Sequence, residues 1–332
     1  MTIIRRPLFT LLKALATLFV VVVAAAVFFS VWAMFRERET RESVAPENGH
    51  VVHAADVSLF YQTVGNPDDP PVILIHGMAA WSGTWRQTMD ALAEAGWYAI
   101  AFDLPPFGFS ERPSDRSYWR VSQATRILAA IDSLHIEKPI LVAHSYGSRG
   151  ALDAVLREED VFKALVLVDS ALDGIYDDTP ASPGAIRFVL SLAPLRYAIV
   201  ATTMTNPLLS RTLLKQFMHR DEAASRETLA VYAAPGVLKD STQDMGLWLR
   251  GFISNEDRGL SSDRSMYARI TLPTTIIWGE EDTTTPLSQG KQLAGYIRNA
   301  SLIVLPDVGH IPHVENAPVF NTALLDALRP LQ

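Results

Sequence analysis

Six short apolar runs, separated by helix-like stretches, restrict this chain to a narrow set of folds. They are VILIH (72–76), YAIAFD (98–103), ILVAH (140–144), ALVLVD (164–169), TIIWG (275–279) and LIVL (302–305). Near-continuous apolar strands need cover on both faces, and amphipathic segments such as 85–95 and 121–134 supply it. Strands alternating with helices in this way give a mostly parallel, doubly wound α/β sheet. A hairpin over 50–53 and 57–64 is expected to open it. Such sheets place ligands beyond the carboxyl ends of their strands, and every polar motif below falls at such an end.

The chain is large enough for this. At 332 residues, 48% of them hydrophobic, it can bury a core without a disulfide or metal staple. It contains no cysteine, which excludes a disulfide framework, a thiolate zinc site, an iron–sulfur cluster and a cysteine nucleophile. The net charge of −7 speaks against nucleic acid as a partner.

The alternation breaks once, from about 172 to 262. That stretch is too long for a loop and reads as an inserted helical cap. Within it, 185–220 is apolar and carries Arg187, Arg196, Arg211, Lys215 and Arg220 with no acid. Two readings stay open. The apolar residues line a pocket while the cations point outward without consequence, or the outer face leans on a bilayer through those cations.

A bilayer enters because residues 14–35 carry no charge. As a helix this run is about 33 Å long, enough for a hydrocarbon core of about 30 Å. Arg5, Arg6 and Lys13 precede it, Arg36, Arg38 and Arg41 follow, and Trp32 sits near one end, where an indole suits the interface. A cleaved signal peptide would have an apolar region of about 7–15 residues and a small-x-small site; this run ends in Met34-Phe35-Arg36. Residues 1–35 are therefore expected to form an uncleaved N-terminal transmembrane anchor, 36–49 a charged linker and 50–332 the α/β domain with its helical cap. The basic flanks are equal, so counting does not orient the anchor. The expectation is an N-terminus inside with the domain on the translocated side.

The strongest chemical signal is Ala143-His144-Ser145-Tyr146-Gly147, after the strand ILVA and before a helical stretch. A serine at the apex of a sharp strand-to-helix turn is a nucleophile elbow, and helix onset there aims backbone N–H groups at the reacting centre. A serine hydroxyl needs a base, and the base needs a carboxylate to hold its tautomer. Asp282 follows TIIWG, and His310 follows LIVL, in the order Ser, acid, His that such an elbow demands. Gly77, after VILIH, would let the backbone turn so that the Met78 and Tyr146 N–H groups form an oxyanion hole. Asp103–Ser110 reads as a turn shaping the pocket floor. Asp169 is a reserve acid, His144 and His313 are structural neighbours, and Glu315 tethers the loop behind His310. The pairs His50/His53 and His310/His313 lack a metalloprotease motif, and no phosphate loop or dinucleotide fingerprint occurs. No metal and no cofactor are therefore expected.

HGM (76–78), DLPPFGFS (103–110), AHSYG (143–147), WGEED (278–282) and GHIPHVENAP (309–318) together resemble the α/β-hydrolase family, in its cap-bearing serine hydrolase branch, over about 50–330. The resemblance implies Ser145 as nucleophile, Asp282 as acid, His310 as base, and Met78 and Tyr146 as oxyanion donors. Ala143 stands where the family elbow usually has its first glycine, and Pro106 where a glycine usually follows Asp-x-Pro. The expected function is a membrane-anchored serine hydrolase that cleaves a small-molecule carboxylic ester, lipophilic substrates included, through an acyl-enzyme. The alternatives are carbon–carbon bond hydrolysis of a vinylogous diketone, which resembling families perform with the same triad, and a non-catalytic ligand-binding homologue. Serine at 145 disfavours epoxide hydrolase and dehalogenase chemistry. The substrate's identity and the oligomeric state are not legible.

Overall fold

The computed structural model describes residues 5–172, 183–254 and 257–332. Eight strands form one sheet: β1 (Gly49–Ala54), β2 (Val57–Val64), β3 (Pro71–Ile75), β4 (Tyr98–Phe102), β5 (Ile140–His144), β6 (Ala164–Val168), β7 (Thr274–Gly279) and β8 (Ala300–Leu305). Their order is β1-β2-β4-β3-β5-β6-β7-β8. The β1–β2 hairpin pairs antiparallel with β4, and all other pairs are parallel. The helices are α1 (Arg5–Arg36), α2 (Arg41–Val44), α3 (Arg86–Glu94), α4 (Arg120–Ser133), α5 (Gly147–Arg157), α6 (Gly184–Ser191), α7 (Ala193–Thr202), α8 (Ser210–Lys215), α9 (Arg226–Ala233), α10 (Ser241–Ser254), α11 (Leu287–Tyr296), α12 (Pro312–Glu315) and α13 (Ala317–Leu328).

The strands are apolar throughout because alternate residues serve two cores. Ile73, Ile75, Leu141, Leu165 and Ile276 pack with residues of α4, α5 and α11, such as Ile127, Leu152 and Leu293. Val72, Leu74, Val142, Val166 and Ile277 pack on the opposite face with Met89 and Leu92 of α3 and with Phe320 and Leu324 of α13. Layers of helix, sheet and helix leave one free edge of the architecture for chemistry: the loops beyond β3, β5, β6, β7 and β8.

Between β6 and β7 the described residues form helices and no strand. Residues 173–182 and 255–256 of the expected cap lie outside the described residues. α7 packs on α1, and α10 packs on α6 and α7.

Residues 36–49, expected as a linker, are docked. Glu37 is buried, and its carboxylate accepts from the Thr242 N–H (2.9 Å) and from the Thr242 hydroxyl. Thr242 lies in the first turn of α10, where free N–H groups favour a carboxylate. Glu39 bridges to the backbone at 237–239, donating from N to Val237 O and accepting from Lys239 N. The charges of the expected linker thus include one that caps a helix of the cap.

Candidate active site

β5 ends at His144, and Ser145 adopts a φ of +50°, a left-handed conformation for a residue with a side chain. Such strain persists only where the surroundings over-determine it. Here the Ser145 N–H donates to Val168 O of β6, and the Ser145 carbonyl accepts from Ala171 N. α5 then starts at Gly147, where a Cβ would meet the His76 carbonyl oxygen at 2.2 Å. Gly77 is needed for a related reason: a Cβ there would lie 2.7 Å from His144 Nδ1 and 3.0 Å from Ser145 Cβ. Close approach, more than turning, is what requires glycine at 77. Ala143 fits its position in the sheet, paired with Ile75 on one side and Leu167 on the other.

The structure brings the three proposed reacting side chains together. Ser145 Oγ lies 2.8 Å from His310 Nε2, and His310 Nδ1 lies 2.7 Å from Asp282 Oδ2. All three residues are buried. A carboxylate at Nδ1 places the proton there and leaves the Nε2 lone pair facing the serine hydroxyl. Asp282 Oδ1 accepts from the N–H groups of Thr284 (2.7 Å) and Thr285 (2.9 Å), and Oδ2 accepts from the Thr285 hydroxyl (2.6 Å). Burial pushes the Asp282 pKa up, but hydrogen bonds and charge from His310 and the Thr285 bonds outweigh it, so the carboxyl sits below its ordinary value. Thr285 was not singled out in the sequence; its place two residues past a strand-end Asp-Thr pair is the available signal.

Asp169 behaves oppositely. One oxygen accepts from Gly279 N (2.8 Å), and the other has no partner among the described residues. Burial first, then the nearby Asp282 charge, raise its pKa well above the ordinary value. Two adjacent buried acids are thereby shifted in opposite directions: the one bonded to His310 downward, the other upward. Asp169, Asp282 and His310 offer ligand atoms within 4.8 Å of one another. Within that cluster Asp282 is already bonded to His310.

The remaining histidines support the loops. Leu104 N donates to His76 Nε2 (2.9 Å), which leaves His76 Nδ1–H to donate to Gly77 O (2.7 Å). His144 Nε2 donates to the His310 carbonyl (2.8 Å) and so pins the loop that carries His310. Burial depresses these pKa values to about 4 for His76 and about 3 for His144. His313 stacks on Trp85, ring centroids 3.9 Å apart, and burial holds it well below the ordinary histidine value. Glu315 accepts from Gly309 N (3.0 Å) and Arg220 N (2.7 Å), tying the His310 loop to the cap.

The N–H groups of Met78 and Tyr146 donate to no acceptor among the described residues. They flank Ser145 through the loop after β3 and the turn into α5. A cavity of about 270 Å³ opens over Ser145. Its wall includes Met78, Met204, Leu213, Phe217, Tyr232 and Ile311. Among the described residues, no Lys, Arg, Asp or Glu lines it. The Asp103–Ser110 turn, expected at the pocket floor, does not line it either. The Asp103 carboxylate accepts from Ser82 N and Phe109 N and is locked beneath Gly108, while Phe107 packs with Tyr118 and Trp248.

The sequence model of the alpha/beta hydrolase fold matches residues 70–317. This chain is an α/β-hydrolase. The 2-hydroxymuconate semialdehyde hydrolase of Pseudomonas sp. (strain CF600) is 28% identical over 297 residues, which are 86% of this chain and 95% of the relative. The crystallised meta-cleavage product hydrolase of Pseudomonas fluorescens IP01 superposes with a TM-score of 0.68 at 26% identity, over 86% of this chain and 99% of its own. A bacterial membrane phospholipase A shares the fold with a TM-score of 0.69 at 20% identity and covers 98% of both chains. That last likeness extends into the N-terminal helix of this hydrolase, whereas the meta-cleavage structure covers 86% of the chain.

Proposed function

We propose that this hydrolase cleaves a carboxylic ester with an apolar acyl group, using Ser145, His310 and Asp282, while α1 holds it in a membrane. The observation that carries the reading is the largely apolar cavity, with no charged residue among the described residues that line it, over a serine hydrogen-bonded to His310. His310 Nε2 takes the proton from Ser145 Oγ as the oxygen bonds to the ester carbonyl carbon. The carbonyl oxygen becomes an oxyanion beside the Met78 and Tyr146 N–H groups. Asp282 stabilises the imidazolium at Nδ1 without accepting its proton. The carbon–oxygen bond breaks, and His310 returns the proton to the leaving alcohol. Water, deprotonated by His310, then attacks the acyl-serine and releases the acid. Two backbone donors at the oxyanion are each worth about 3–4 kcal/mol in related sites.

A second reading has its own support. The similar proteins named above include hydrolases of ring-cleavage products, so the comparisons favour carbon–carbon bond hydrolysis of a vinylogous diketone at least as strongly. Against it, a dienoate product of ring cleavage carries a carboxylate, and no Lys or Arg lines the cavity among the described residues. A panel of p-nitrophenyl esters of increasing chain length, assayed beside a ring-cleavage diketone, tests the two. Turnover that rises with acyl length supports the ester reading; faster turnover of the diketone replaces it. The helix spanning Lys13–Arg36 is long and apolar enough to cross a membrane. Our reading places the N-terminus inside and the catalytic domain on the translocated side, which protease accessibility of sealed vesicles checks.

A further inference from the structure

α1 does not part from the body of the protein where its apolar run ends. Ala25, Ala26, Phe29, Ser30, Ala33 and Glu37 recur on one side of it and are half-buried or buried, Ala33 to 1% exposure. The helix packed along α1 is α7. The uncharged run extends from 14 to 35, so the cap lies beside its last three turns. Upstream of that contact, 14–24 offers only about 17 Å of helix, roughly half of a hydrocarbon core of about 30 Å. If α1 crosses a bilayer, the covered turns must lie inside the apolar layer, and α7 is carried in beside them.

The cap is built for that position. α6 and α7 together are apolar enough for a span, but they are bent by 100°, so the pair can lie in one leaflet without crossing it. Phe188 is 65% exposed and Leu195 47%, and Leu192 and Ile199 are exposed on the same helix face as Leu195. No acid occurs between 183 and 220. The cations are not what holds the cap there, contrary to one of the sequence readings. Arg196 is buried and donates to Leu190 O, Lys215 pairs with Asp221, and Arg220 pairs with Asp307. Arg187 and Arg211 remain exposed, on long side chains that can reach the headgroups. Leu208, 68% exposed, stands between Met204 and Ser210, two residues that line the cavity over Ser145.

We propose that the α6–α7 pair is an interfacial element, seated in the bilayer leaflet nearest the C-terminal end of α1, with the mouth of the cavity at the lipid surface. The proposal rests on the reading of α1 as a membrane helix. Because the chain has no cysteine, single labels are clean. Full-length Phe19→Cys, Phe188→Cys, Leu195→Cys, Leu208→Cys and Val304→Cys variants are each labelled with an environment-sensitive fluorophore and reconstituted into phosphatidylcholine vesicles containing spin-labelled lipid. Position 19 lies on the exposed side of α1, and 304 lies on β8, which packs with β7, α11 and α13 and is not part of the α6–α7 pair. The expected result is several-fold quenching at 19, 188, 195 and 208 and none at 304. Quenching at 19 with 188, 195 and 208 as insensitive as 304 overturns the proposal. Absence of quenching at 19 overturns the membrane reading of α1 itself, and the proposal with it.

Discussion

The strand-end loops and the cap meet over Ser145, yet they are held by different physics. On the sheet side, the proposed triad is fixed by hydrogen bonds: Asp282 has three local donors besides His310, and His144 holds the His310 carbonyl. On the cap side, apolar side chains form the cavity wall, and others of the same kind point outward. A hydrogen-bonded constellation specifies geometry to tenths of an ångström, whereas apolar contacts specify volume and tolerate exchange. The sheet side therefore sets which bond chemistry is possible, and the cap sets which molecule arrives.

The largest effect expected is on the sheet side. Ser145→Ala and His310→Ala should each lower kcat by a factor on the order of 10⁴ or more, and the double variant should be no worse than the single ones. Additive losses would show that the two do not act as a unit. Asp282→Asn should follow, at about 10²–10⁴ in kcat, because an amide can hold His310 in the wrong tautomer. An unchanged rate in that variant would move the acid role to Asp169.

Thr285→Val should be milder, about tenfold in kcat, since it removes a single hydrogen bond to Asp282 while the two backbone donors remain. Its signature is a fall in kcat with KM unchanged, which a rearranged cap would not give.

The smallest effect at neutral pH concerns His313, which burial keeps neutral in the fold. Unfolded, it binds a proton below about pH 6.5, so the unfolded state takes up more protons and stability falls as pH drops. In His313→Phe that contribution is gone. The stability difference between parent and variant should shift toward the variant by about 1.4 kcal/mol per pH unit below 6.5. Chemical denaturation from pH 7 to pH 5 measures it, and a constant difference would show His313 to be charged in the fold.

The site was legible because its residues stand at strand ends, and strand ends follow from apolar runs that need no tertiary information. The order Ser145, Asp282, His310 then limited the roles. Thr285 was not legible: a hydroxyl three residues past an aspartate bonds it only if the backbone turns there, as it does between Gly279 and Pro286. The segment after α1 was misread for a related reason. Its charges suit solvent, and nothing in the sequence shows that Glu37 meets the first turn of a helix two hundred residues away. Arg196 likewise looks like a surface cation until its guanidinium is seen donating to the carbonyls that end α6. Local pattern reports elements and their ends; it is silent on which distant donor a charged side chain will find.

The central claim is that Ser145 is the nucleophile of a hydrolase. Its most direct test is reaction of the full chain with a fluorophosphonate probe, followed by peptide mass spectrometry and a parallel activity assay. The account predicts one phosphonyl group per chain, on Ser145, with activity lost in proportion to labelling and no labelling of Ser145→Ala. Full hydrolytic activity in an unlabelled Ser145→Ala chain would contradict it.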